Sequence, residues 1–452
     1  MRDSITIQHR GPAIGRQIMT THSNAVLYFP LKLSAQGPDC TFYNPATGRV
    51  HKVSQSAGRV LNLCDGERTW DEMLAELSQA SGTLPATVTR HVQPFLNRLA
   101  AEGAIWTRPQ RMLWSSLPPP TSVFWNITGK CNLCCRHCAV SSGMKRPDEL
   151  SLAECRRAID DMAAFGVQDI ALSGGEPLIR PDWFQIATHA RSRGLLVSVS
   201  TNGTLVTEAV ARKIAGLGSD VQVSLDGATP EVHDSLRRIT GAWQRAVRGV
   251  QNFVNAGVPV TIGTTVTTAN IHQIPALCDL ARNLGAERYR IIPFVPFGRG
   301  GAWRKLEVKP RAMQRLTEYL RQRRLQNDID IVEMEFECTF DPPPLQPADP
   351  QSGLGCGGAQ TYITITETGD VLPCHFFSGV EADNILKHDL AWIWEHSRFL
   401  NYFRSMTLAD LTGSCQQCDW LAGCRGSCRA ANFAHLNLFR GNCHCWLNTR
   451  PT

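Results

Sequence analysis

The sequence predicts an α/β protein, in which a partial (β/α)6 TIM-like barrel lies between a winged-helix-like domain and a cysteine-rich domain. Three observations predict this architecture. Six candidate strands alternate with helical stretches between residues 121 and 330. Short strands and three helical stretches precede them, and cysteine, glycine and proline become dense after them. Regular alternation of strands and helices favours a parallel sheet that curls towards a barrel.

The composition is that of an ordinary globular protein with several domains. The chain has 452 residues, more than one hydrophobic core usually organises, and 43% of them are hydrophobic. The sequence contains no run of about 18 apolar residues, so no membrane span is predicted. The N-terminus lacks the apolar segment of a secretory signal, so we expect a cytoplasmic protein without a membrane partner. A formal net charge of +6 is too dispersed to predict binding of nucleic acid.

Residues 25–108 predict the winged-helix-like domain. Short strands are predicted over "AVLYFPLKL" and "CTFYNPATGRVHKV" because turn residues interrupt their apolar pattern. Three helices are also predicted. The first covers "SQSAGRVLNLC" and ends at the following "DG", and the second covers "TWDEMLAELSQAS" with Thr69 as N-cap. The third covers "PATVTRHVQPFLNRLAAEG" with Pro85 near its start. Residues 109–120 contain three consecutive prolines and predict a semi-rigid linker.

Residues 121–330 predict the barrel. Its strands are "SVFWNIT", "DIALS", "LLVSVS", "DVQVSL", "VPVTIGTTV" and "RYRIIP". The first helix between them has the capping-box spacing of Ser151 and Glu154. In such barrels the reactive groups lie at the C-terminal ends of the strands.

Four consecutive strand ends carry glycine or polar residues: "CNLCCRHC", "LSGGEPL", "STNGT" and "SLDG". The glycines of the second motif permit close backbone approach, and Glu176 can neutralise an ammonium group. Each motif alone is typical of a plain turn. Four of them at neighbouring strand ends indicate a single site.

Cys131, Cys135 and Cys138 form a C-x3-C-x2-C pattern. Three thiolates can hold three irons of a 4Fe–4S cube, which normally takes four cysteines, so the fourth iron is left to bind another group. Structural zinc requires a closed set of four ligands, for which Cys134 is awkwardly placed beside Cys135. A redox dithiol would leave Cys131 without a role. The spacing therefore favours an open iron–sulfur cluster.

These motifs resemble those of the radical S-adenosylmethionine (radical SAM) superfamily over residues 121–300. The resemblance implies that the three cysteines hold a 4Fe–4S cluster, whose open iron chelates the amino and carboxylate groups of S-adenosylmethionine. Reductive cleavage would give methionine and a 5′-deoxyadenosyl radical. The cofactor contacts that the resemblance implies are Gly174, Gly175 and Glu176 for the amino end, Thr201, Asn202, Ser224 and Asp226 for the carboxylate and ribose, and His137 near the adenine.

Residues 331–452 contain a second ordered set of cysteines. A zinc ribbon could use four of them. Their full order resembles the SPASM extension of radical SAM enzymes, which houses two auxiliary 4Fe–4S clusters, so the resemblance implies an iron–sulfur domain and three clusters in all. It assigns Cys356, Cys374 and Cys428 to the first auxiliary cluster, with Cys338 or the substrate completing it, and Cys415, Cys418, Cys424 and Cys445 to the second, with Cys443 as an alternative to Cys445.

The N-terminal domain resembles PqqD-like domains, which bind the leader of a ribosomal precursor peptide as an added strand. The resemblance places the leader between the strand near Arg49–Val53 and the helix from Pro85 to Ala101. We therefore expect a peptide maturase that takes its electrons from a flavodoxin or ferredoxin. Its expected product is a C–C or C–heteroatom (thioether or ether) cross-link, with epimerisation and oxidative decarboxylation as alternatives.

Other activities stay open at this point. Sulfatase-maturing relatives of this type have an aspartate base after the equivalent of Cys374. This chain has His375 there, which counts against that activity, although histidine is itself a competent base. His375 is therefore the candidate catalytic base, and a structural role beside the cluster is the alternative. The segment "FVPFGRG" resembles the branch that oxidises tetrapyrrole side chains, but such a reaction would leave the N-terminal domain without a role. A DNA-binding redox sensor is the non-catalytic alternative, and the intact "SGGEP" argues against it.

Overall fold

The computed structural model describes residues 25–36, 39–45, 47, 49–108, 117–333, 349–436, 438–441 and 444–446. The strands are β1 (Val26–Tyr28), β2 (Leu33–Gln36), β3 (Asp39–Asn44), β4 (Arg49–Ser54), β5 (Asp65–Thr69), β6 (Trp106–Arg108), β7 (Ser122–Thr128), β8 (Asp169–Gly174), β9 (Leu196–Thr201), β10 (Asp220–Ser224), β11 (Val260–Val266), β12 (Arg288–Pro293), β13 (Asp330–Glu333), β14 (Tyr362–Ile365) and β15 (Val371–Leu372). The helices are α1 (Gln55–Leu63), α2 (Trp70–Ser81), α3 (Pro85–Ala101), α4 (Leu152–Phe165), α5 (Trp183–Ser192), α6 (Glu208–Gly216), α7 (Pro230–Arg237), α8 (Ala242–Asn255), α9 (Ile274–Asn283), α10 (Pro310–Arg324), α11 (Leu390–His396), α12 (Arg398–Arg404), α13 (Leu421–Cys424) and α14 (Arg429–Ala434).

The centre of the molecule is a sheet with the strand order β13-β12-β11-β10-β9-β8-β7-β14-β15. Strands β7 to β13 are parallel to their neighbours and follow the chain order, with helices between them. The predicted α/β class with a partial barrel is therefore confirmed. Across the described residues, no helix combines the length and the apolar composition needed to cross a bilayer.

The barrel strands have one apolar face and one more polar face. Val123, Trp125 and Ile127 of β7 are fully buried and belong to the main hydrophobic core. Residues of opposite orientation, such as Ser198 and Ser200 of β9, are less buried and polar. This period-2 alternation places the helices on one side of the sheet and leaves the inner face of the barrel available for polar contacts.

The C-terminal segment also contributes to the central sheet, which the sequence did not predict. Strand β14 pairs in parallel with β7, with Ile363 opposite Val123 and Ile365 opposite Trp125. Strand β13 extends the strand–helix alternation by one strand beyond β12. The first strand of the barrel is thus covered on its outer edge by the cysteine-rich part of the chain. The proposed domain boundaries at residues 108, 120 and 330 stay predictions.

The N-terminal domain has the predicted three helices and a three-stranded antiparallel sheet in the order β2-β3-β4. Thr69 caps α2 in a capping box with Glu72, and Pro85 is the first residue of α3. The stretch "AVLYFPLKL" differs from its prediction, because it divides near Pro30 into β1 and β2, in two different sheets. Proline lacks the N–H that a continuous ladder would need. Strand β1 pairs instead with β5 and β6.

The N-terminal domain is attached to the C-terminal domain by an interdomain aromatic cluster, which we define as Tyr28, Trp106, Phe377, Tyr402 and Phe433. Tyr28 stacks on Tyr402 with 4.7 Å between the ring centroids. Trp106 contacts Phe433 edge to face at 5.3 Å and lies 6.2 Å from Phe377. Aromatic pairs in this distance range contribute free energy beyond the burial of their surface. The cluster therefore fixes the orientation of the two domains.

We predict that Trp106→Ala lowers the free energy of unfolding by about 3–5 kcal/mol, because it removes a large side chain that is 3% exposed. Urea denaturation followed by circular dichroism measures the loss. Trp392→Ala is the matched control, since Trp392 is 37% exposed on α11. Equal losses in the two variants would contradict a role of the cluster in holding the domains together.

Candidate active site at the mouth of the barrel

The three predicted cluster cysteines lie together in the loop that follows β7. Cys131, Cys135 and Cys138 share one small apolar cluster with Leu133 and Ala242. Cys134, the rejected fourth ligand, is exposed. In the described part of the chain, no three Cys, His, Asp or Glu side chains converge on one point as the ligands of a single ion would. The three cysteines nevertheless belong to one small side-chain cluster.

The two glycines of "SGGEP" lie in close contact with the backbone that leads into this loop. A Cβ on Gly174 would lie 2.3 Å from the carbonyl oxygen of Thr128, and one on Gly175 would lie 2.1 Å from that of Lys130. The amide of Gly175 donates to Thr128 O at 2.7 Å, and the amide of Glu176 donates to Lys130 O at 2.8 Å. The close approach that we expected of these glycines is therefore made by the chain's own backbone, just before Cys131.

The segment "FGRG" after β12 holds the other end of the loop. A Cβ on Gly298, whose φ is +54°, would lie 2.3 Å from the carbonyl oxygen of Ala139. Arg299 donates to the carbonyl oxygens of Cys135, at 3.1 Å, and Ser142. The amide of Gly300 donates to Cys138 O at 3.3 Å. This motif, which the sequence related to tetrapyrrole oxidation, thus supports the cysteine loop whatever the substrate is.

Glu176 is wholly buried beside the loop and is hydrogen-bonded to the end of β9. Its carboxylate accepts from Thr201 Oγ1 at 2.7 Å, from the Asn202 amide at 2.8 Å and from the Leu178 amide at 3.2 Å. Burial raises the pKa of Glu176 to about 7 despite these donors. No ion pair to this carboxylate occurs among the described residues, so a cationic group of a ligand would relieve its desolvation.

Asn202 connects the same strand end to the cysteine loop. Its Nδ2 donates to Asn132 Oδ1 at 2.9 Å, and Asn132 Nδ2 donates to Thr204 Oγ1 at 2.8 Å. Asn132 follows Cys131 directly. The second and third predicted motifs are therefore both bonded to the segment that carries the first cysteine.

Asp226 and His137 belong to a buried ion-pair network. Asp226 Oδ2 lies 2.7 Å from Arg237 Nη2 and 3.2 Å from His137 Nε2, and Oδ1 accepts from the Thr265 amide at 2.9 Å. Arg237 Nη1 lies 3.7 Å from Cys135 Sγ. Burial opposes the ionisation of Asp226, but Arg237 and His137 overcome it and hold the pKa of this carboxyl well below its usual range. The network thus joins the fourth motif to the cysteine loop.

The sequence did not identify Arg237, Arg299 or Asn132. Arg237 is the last residue of α7, the helix that follows "SLDG", and a basic residue one helix beyond an acidic strand end is the signal that could have found it. Ser224 is the last residue of β10 and is partly exposed there. The roles of Ser224, Asp226 and His137 as cofactor contacts stay predictions.

A cavity of about 430 Å³ opens beside the cysteine loop, which is a size suited to small ligands. It is lined by the ends of β7 and β8, through Thr128 and Gly174, and by residues 140–147. Glu367, which follows β14 in the C-terminal domain, closes one side and pairs with Arg146 at 3.1 Å. The cavity thus lies where the barrel mouth meets the C-terminal domain.

The cysteines assigned to the second auxiliary cluster are neighbours in the structure. Burial and the nearby thiols of Cys424, Cys445 and Cys418 raise the pKa of Cys415 to about 11. Of the first auxiliary set, Cys374 and Cys428 are buried and Cys356 is partly buried. The other two candidate ligands, Cys338 and Cys443, lie outside the described residues.

His375, the candidate base, follows Cys374 at the start of a short 3-10 helix. Its partly buried ring packs against Phe376 with 4.1 Å between the ring centroids. Burial lowers the pKa of His375 to about 4, so the imidazole is neutral at physiological pH but a weaker base than an exposed histidine. Its catalytic role stays a prediction.

Three thiols at the mouth of an open barrel, beside a buried carboxylate without a cationic partner among the described residues, define an enzyme of the cluster-dependent kind that the sequence predicts. Residues 125–281 match the radical SAM superfamily model, residues 41–105 match coenzyme PQQ synthesis protein D (PqqD), and residues 356–419 match the SPASM iron–sulfur cluster-binding domain. The chain belongs to the radical SAM superfamily. Its predicted combination of three domains is confirmed, and S-adenosylmethionine and iron–sulfur clusters are the cofactors of this family.

Two curated relatives have different activities. The AdoMet-dependent heme synthase of Methanosarcina barkeri is 32% identical over 334 residues, which cover 70% of this chain and 93% of that protein. The mycofactocin maturase MftC of Mycobacterium tuberculosis is 34% identical over 332 residues, which cover 70% of this chain and 80% of that protein.

Solved structures share the fold at low sequence identity. Streptococcus suis SuiB bound to precursor peptide SuiA has a TM-score of 0.62 at 15% identity, covering 94% of this chain and 100% of that one. The enzyme anSMEcpe with bound AdoMet has a TM-score of 0.57 at 18% identity, covering 73% of this chain and 91% of that one. The similarity to SuiB therefore extends over nearly all of both chains.

We predict that Gly175→Ala abolishes iron binding by the loop after β7, because the added methyl group would meet the backbone of Lys130 at 2.1 Å. Iron content and 5′-deoxyadenosine formation after anaerobic reconstitution measure the loss. Gly143→Ala is the matched control, since nothing lies within 4 Å of the Cβ it would add. A Gly175→Ala protein with wild-type iron content and cofactor cleavage would contradict the role of this glycine.

Proposed function

We propose that this enzyme is a maturase that binds a ribosomally made precursor peptide by its leader and modifies residues of the core peptide. The observation that carries the proposal is the PqqD-like domain, docked onto the C-terminal domain of a radical SAM enzyme. The names of two similar proteins support it, since MftC is a mycofactocin maturase and SuiB was solved with its precursor peptide.

The proposed leader site is the edge of β4 that no other strand of the described chain covers. This strand pairs with β3 on one side, and in the order β2-β3-β4 it ends the sheet. Val50 of β4 is 70% exposed, and the side chain of Lys52 is 69% exposed. An open edge presents backbone groups that an extended peptide can pair with, and exposed side chains on the edge give that pairing its specificity.

The same C-terminal segment borders both the leader domain and the cavity. Leu31 forms a β-bridge with Val380, and the Glu381 amide donates to Pro30 O at 2.6 Å. Glu367, which borders the cavity, lies earlier in this segment. The proposed path of the substrate therefore runs from the β4 edge, along the C-terminal domain, to the barrel mouth.

The residues present fit the cofactors that the family implies. Cys131, Cys135 and Cys138 would hold the cluster at the barrel mouth, and the buried Glu176 would take the ammonium group of S-adenosylmethionine. When bound, these cofactors supply a 5′-deoxyadenosyl radical that abstracts hydrogen. The chain orients the cofactor through the hydrogen-bonded ends of β8, β9 and β10 and encloses the substrate in the cavity.

The proposed product is a C–C or C–heteroatom cross-link, with epimerisation and oxidative decarboxylation as the alternatives. Two auxiliary 4Fe–4S clusters, on the two cysteine sets of the C-terminal domain, would take up the electron released by a net oxidation. A flavodoxin or ferredoxin would supply electrons to the first cluster, in keeping with the reducing cytoplasm that this cysteine-rich chain suits.

Side-chain oxidation of a tetrapyrrole is the second candidate, because the Methanosarcina barkeri relative is a heme synthase. One anaerobic experiment separates the two. The reduced enzyme is offered a peptide encoded next to its gene and, separately, a porphyrin, and the products are analysed by mass spectrometry. A mass change of the peptide supports the maturase, and its tandem spectrum names the bond. A change of the porphyrin alone would establish the second candidate.

We predict that replacing Cys131, Cys135 and Cys138 with alanine abolishes 5′-deoxyadenosine formation and leaves leader affinity unchanged, because the cysteines lie in the barrel and the leader site in the N-terminal domain. Chromatography measures the nucleoside, and fluorescence polarisation of a labelled leader peptide measures the affinity. The wild-type protein is the control. Continued formation of 5′-deoxyadenosine by the triple variant would refute the assignment of these cysteines.

We predict that Val50→Asp weakens leader binding at least tenfold, because it places a charge on the apolar edge position that the leader would cover. Fluorescence polarisation with the full chain measures the dissociation constant. Leu325→Asp is the matched control, since Leu325 is 84% exposed at the end of α10, in a different domain. Unchanged binding by the Val50 variant, or an equal loss in both variants, would place the leader elsewhere.

A further inference from the structure

Arg429 is a buried cation that forms no ion pair within the part of the chain that the structure describes. It is the first residue of α14 and is 0% exposed. Its guanidinium donates to the carbonyl oxygens of Leu438 at 2.8 Å, Ser427 at 3.3 Å and Arg440 at 3.3 Å, and Nη2 makes no hydrogen bond among the described residues. A buried charge is normally paired, because its desolvation is costly.

Other buried arginines of this chain follow that rule. Arg237 lies 2.7 Å from Asp226, Arg180 lies 2.8 Å from Asp182, and Arg323 lies 2.8 Å from Asp328. In the described part of the chain, no carboxylate forms an ion pair with Arg429. The desolvation of this guanidinium would therefore have to be offset by negative charge from another source.

Cysteines of both auxiliary sets lie next to Arg429. Cys428, assigned to the first auxiliary cluster, directly precedes it in the chain. Cys424, assigned to the second, precedes by two residues Gly426, which lies against the guanidinium. Arg429 thus lies beside one cysteine of each expected cluster site.

Close backbone contacts hold the side chain of Arg429 in this position. Gly426 has a φ of +82°, and a Cβ there would lie 3.0 Å from Nη2 of Arg429. The amide of Gly355, the residue before Cys356, donates to Arg425 O at 2.8 Å, beside Cys424. A Cβ on Gly355 would also lie 2.8 Å from the carbonyl oxygen of Cys424, so the segments that carry Cys356 and Cys424 meet beside Arg429.

We propose that Arg429 is the shared counter-charge of the two auxiliary iron–sulfur clusters and holds both at a less negative reduction potential. Reduction adds one electron to a cluster that already carries net negative charge through its thiolates. A fixed positive charge nearby stabilises the reduced form, and it acts strongly because the surroundings are buried. The inference rests on the ligand assignment proposed above.

The test is an EPR-monitored redox titration of the fully reconstituted enzyme and its Arg429→Gln and Arg429→Lys variants. We expect Arg429→Gln to disfavour reduction of both auxiliary clusters at least tenfold, which is about 59 mV for a one-electron couple. The cluster of Cys131, Cys135 and Cys138 should keep its potential. Arg429→Lys, which retains the charge, should stay near the wild-type values.

Arg404→Gln is the matched control. Arg404 also lies in the C-terminal domain, donates to carbonyl oxygens of Ala359 and Trp394, and has burial as the cause of its lowered pKa, without a cysteine acting on it. Unchanged auxiliary potentials in fully loaded Arg429→Gln, or an equal shift in Arg404→Gln, would overturn the proposal.

Iron and sulfide analysis shows whether each variant carries its full set of clusters. Loss of the auxiliary clusters in Arg429→Gln but not in Arg429→Lys is expected if charge is what stabilises them. Loss in both variants would show that the shape of arginine, not its charge, is required, and would refute the proposal. Wild-type protein that never exceeds one cluster would instead refute the ligand assignment on which the proposal rests.

Discussion

The active site depends on close backbone contacts around the loop that carries the first three cysteines. Gly174 and Gly175 lie against the carbonyl groups that precede Cys131, and Gly298 lies against the carbonyl group that follows Cys138. At each contact a backbone carbonyl oxygen occupies the space that a Cβ on the glycine would need. A thiol can only be placed as accurately as its backbone, so these contacts define the backbone from which the three thiols project before any cofactor binds. The segments at the ends of β8 and β12 thus hold the loop from its two sides.

Two buried charges of opposite sign are left without an ion-pair partner in the described chain, and both lie at expected cofactor sites. Glu176 accepts hydrogen bonds from neutral donors, and its burial raises its pKa to about 7 although these donors and the charge of Arg237 oppose the rise. Arg429 is surrounded by carbonyl groups and cysteine thiols. Because an isolated buried charge is costly, each position is better suited to a bound group of opposite charge than to the chain alone. The ammonium group of S-adenosylmethionine and the anionic auxiliary clusters are groups of those charges.

The sequence predicted the features that depend on local chemistry. The six barrel strands follow from apolar runs between turn residues, and the caps at Thr69 and Ser151 follow from side chains within one helical turn. It missed features that depend on contacts between distant segments. Nothing local to β14 shows that it pairs with β7, about 240 residues earlier. Likewise, Arg299 and Arg429 look like ordinary surface arginines until the fold places them against backbone carbonyls.

The C-terminal domain connects the three parts that the proposed reaction requires. Strand β14 extends the sheet at β7, the strand that leads into the cysteine loop, and Glu367 beyond it borders the cavity. Phe377 and Phe433 of the interdomain aromatic cluster follow Cys374 and Cys428 by a few residues. Two of the three cysteines expected to hold the first auxiliary cluster therefore lie on the same short segments that pack against the N-terminal domain. Because packed aromatic rings do not shift without losing contacts, the segments that carry Cys374 and Cys428 also fix the distance between the β4 edge and the barrel mouth. A peptide anchored at β4 would then reach the cavity with a constant length of chain, which is how a leader can determine which core residue meets the radical.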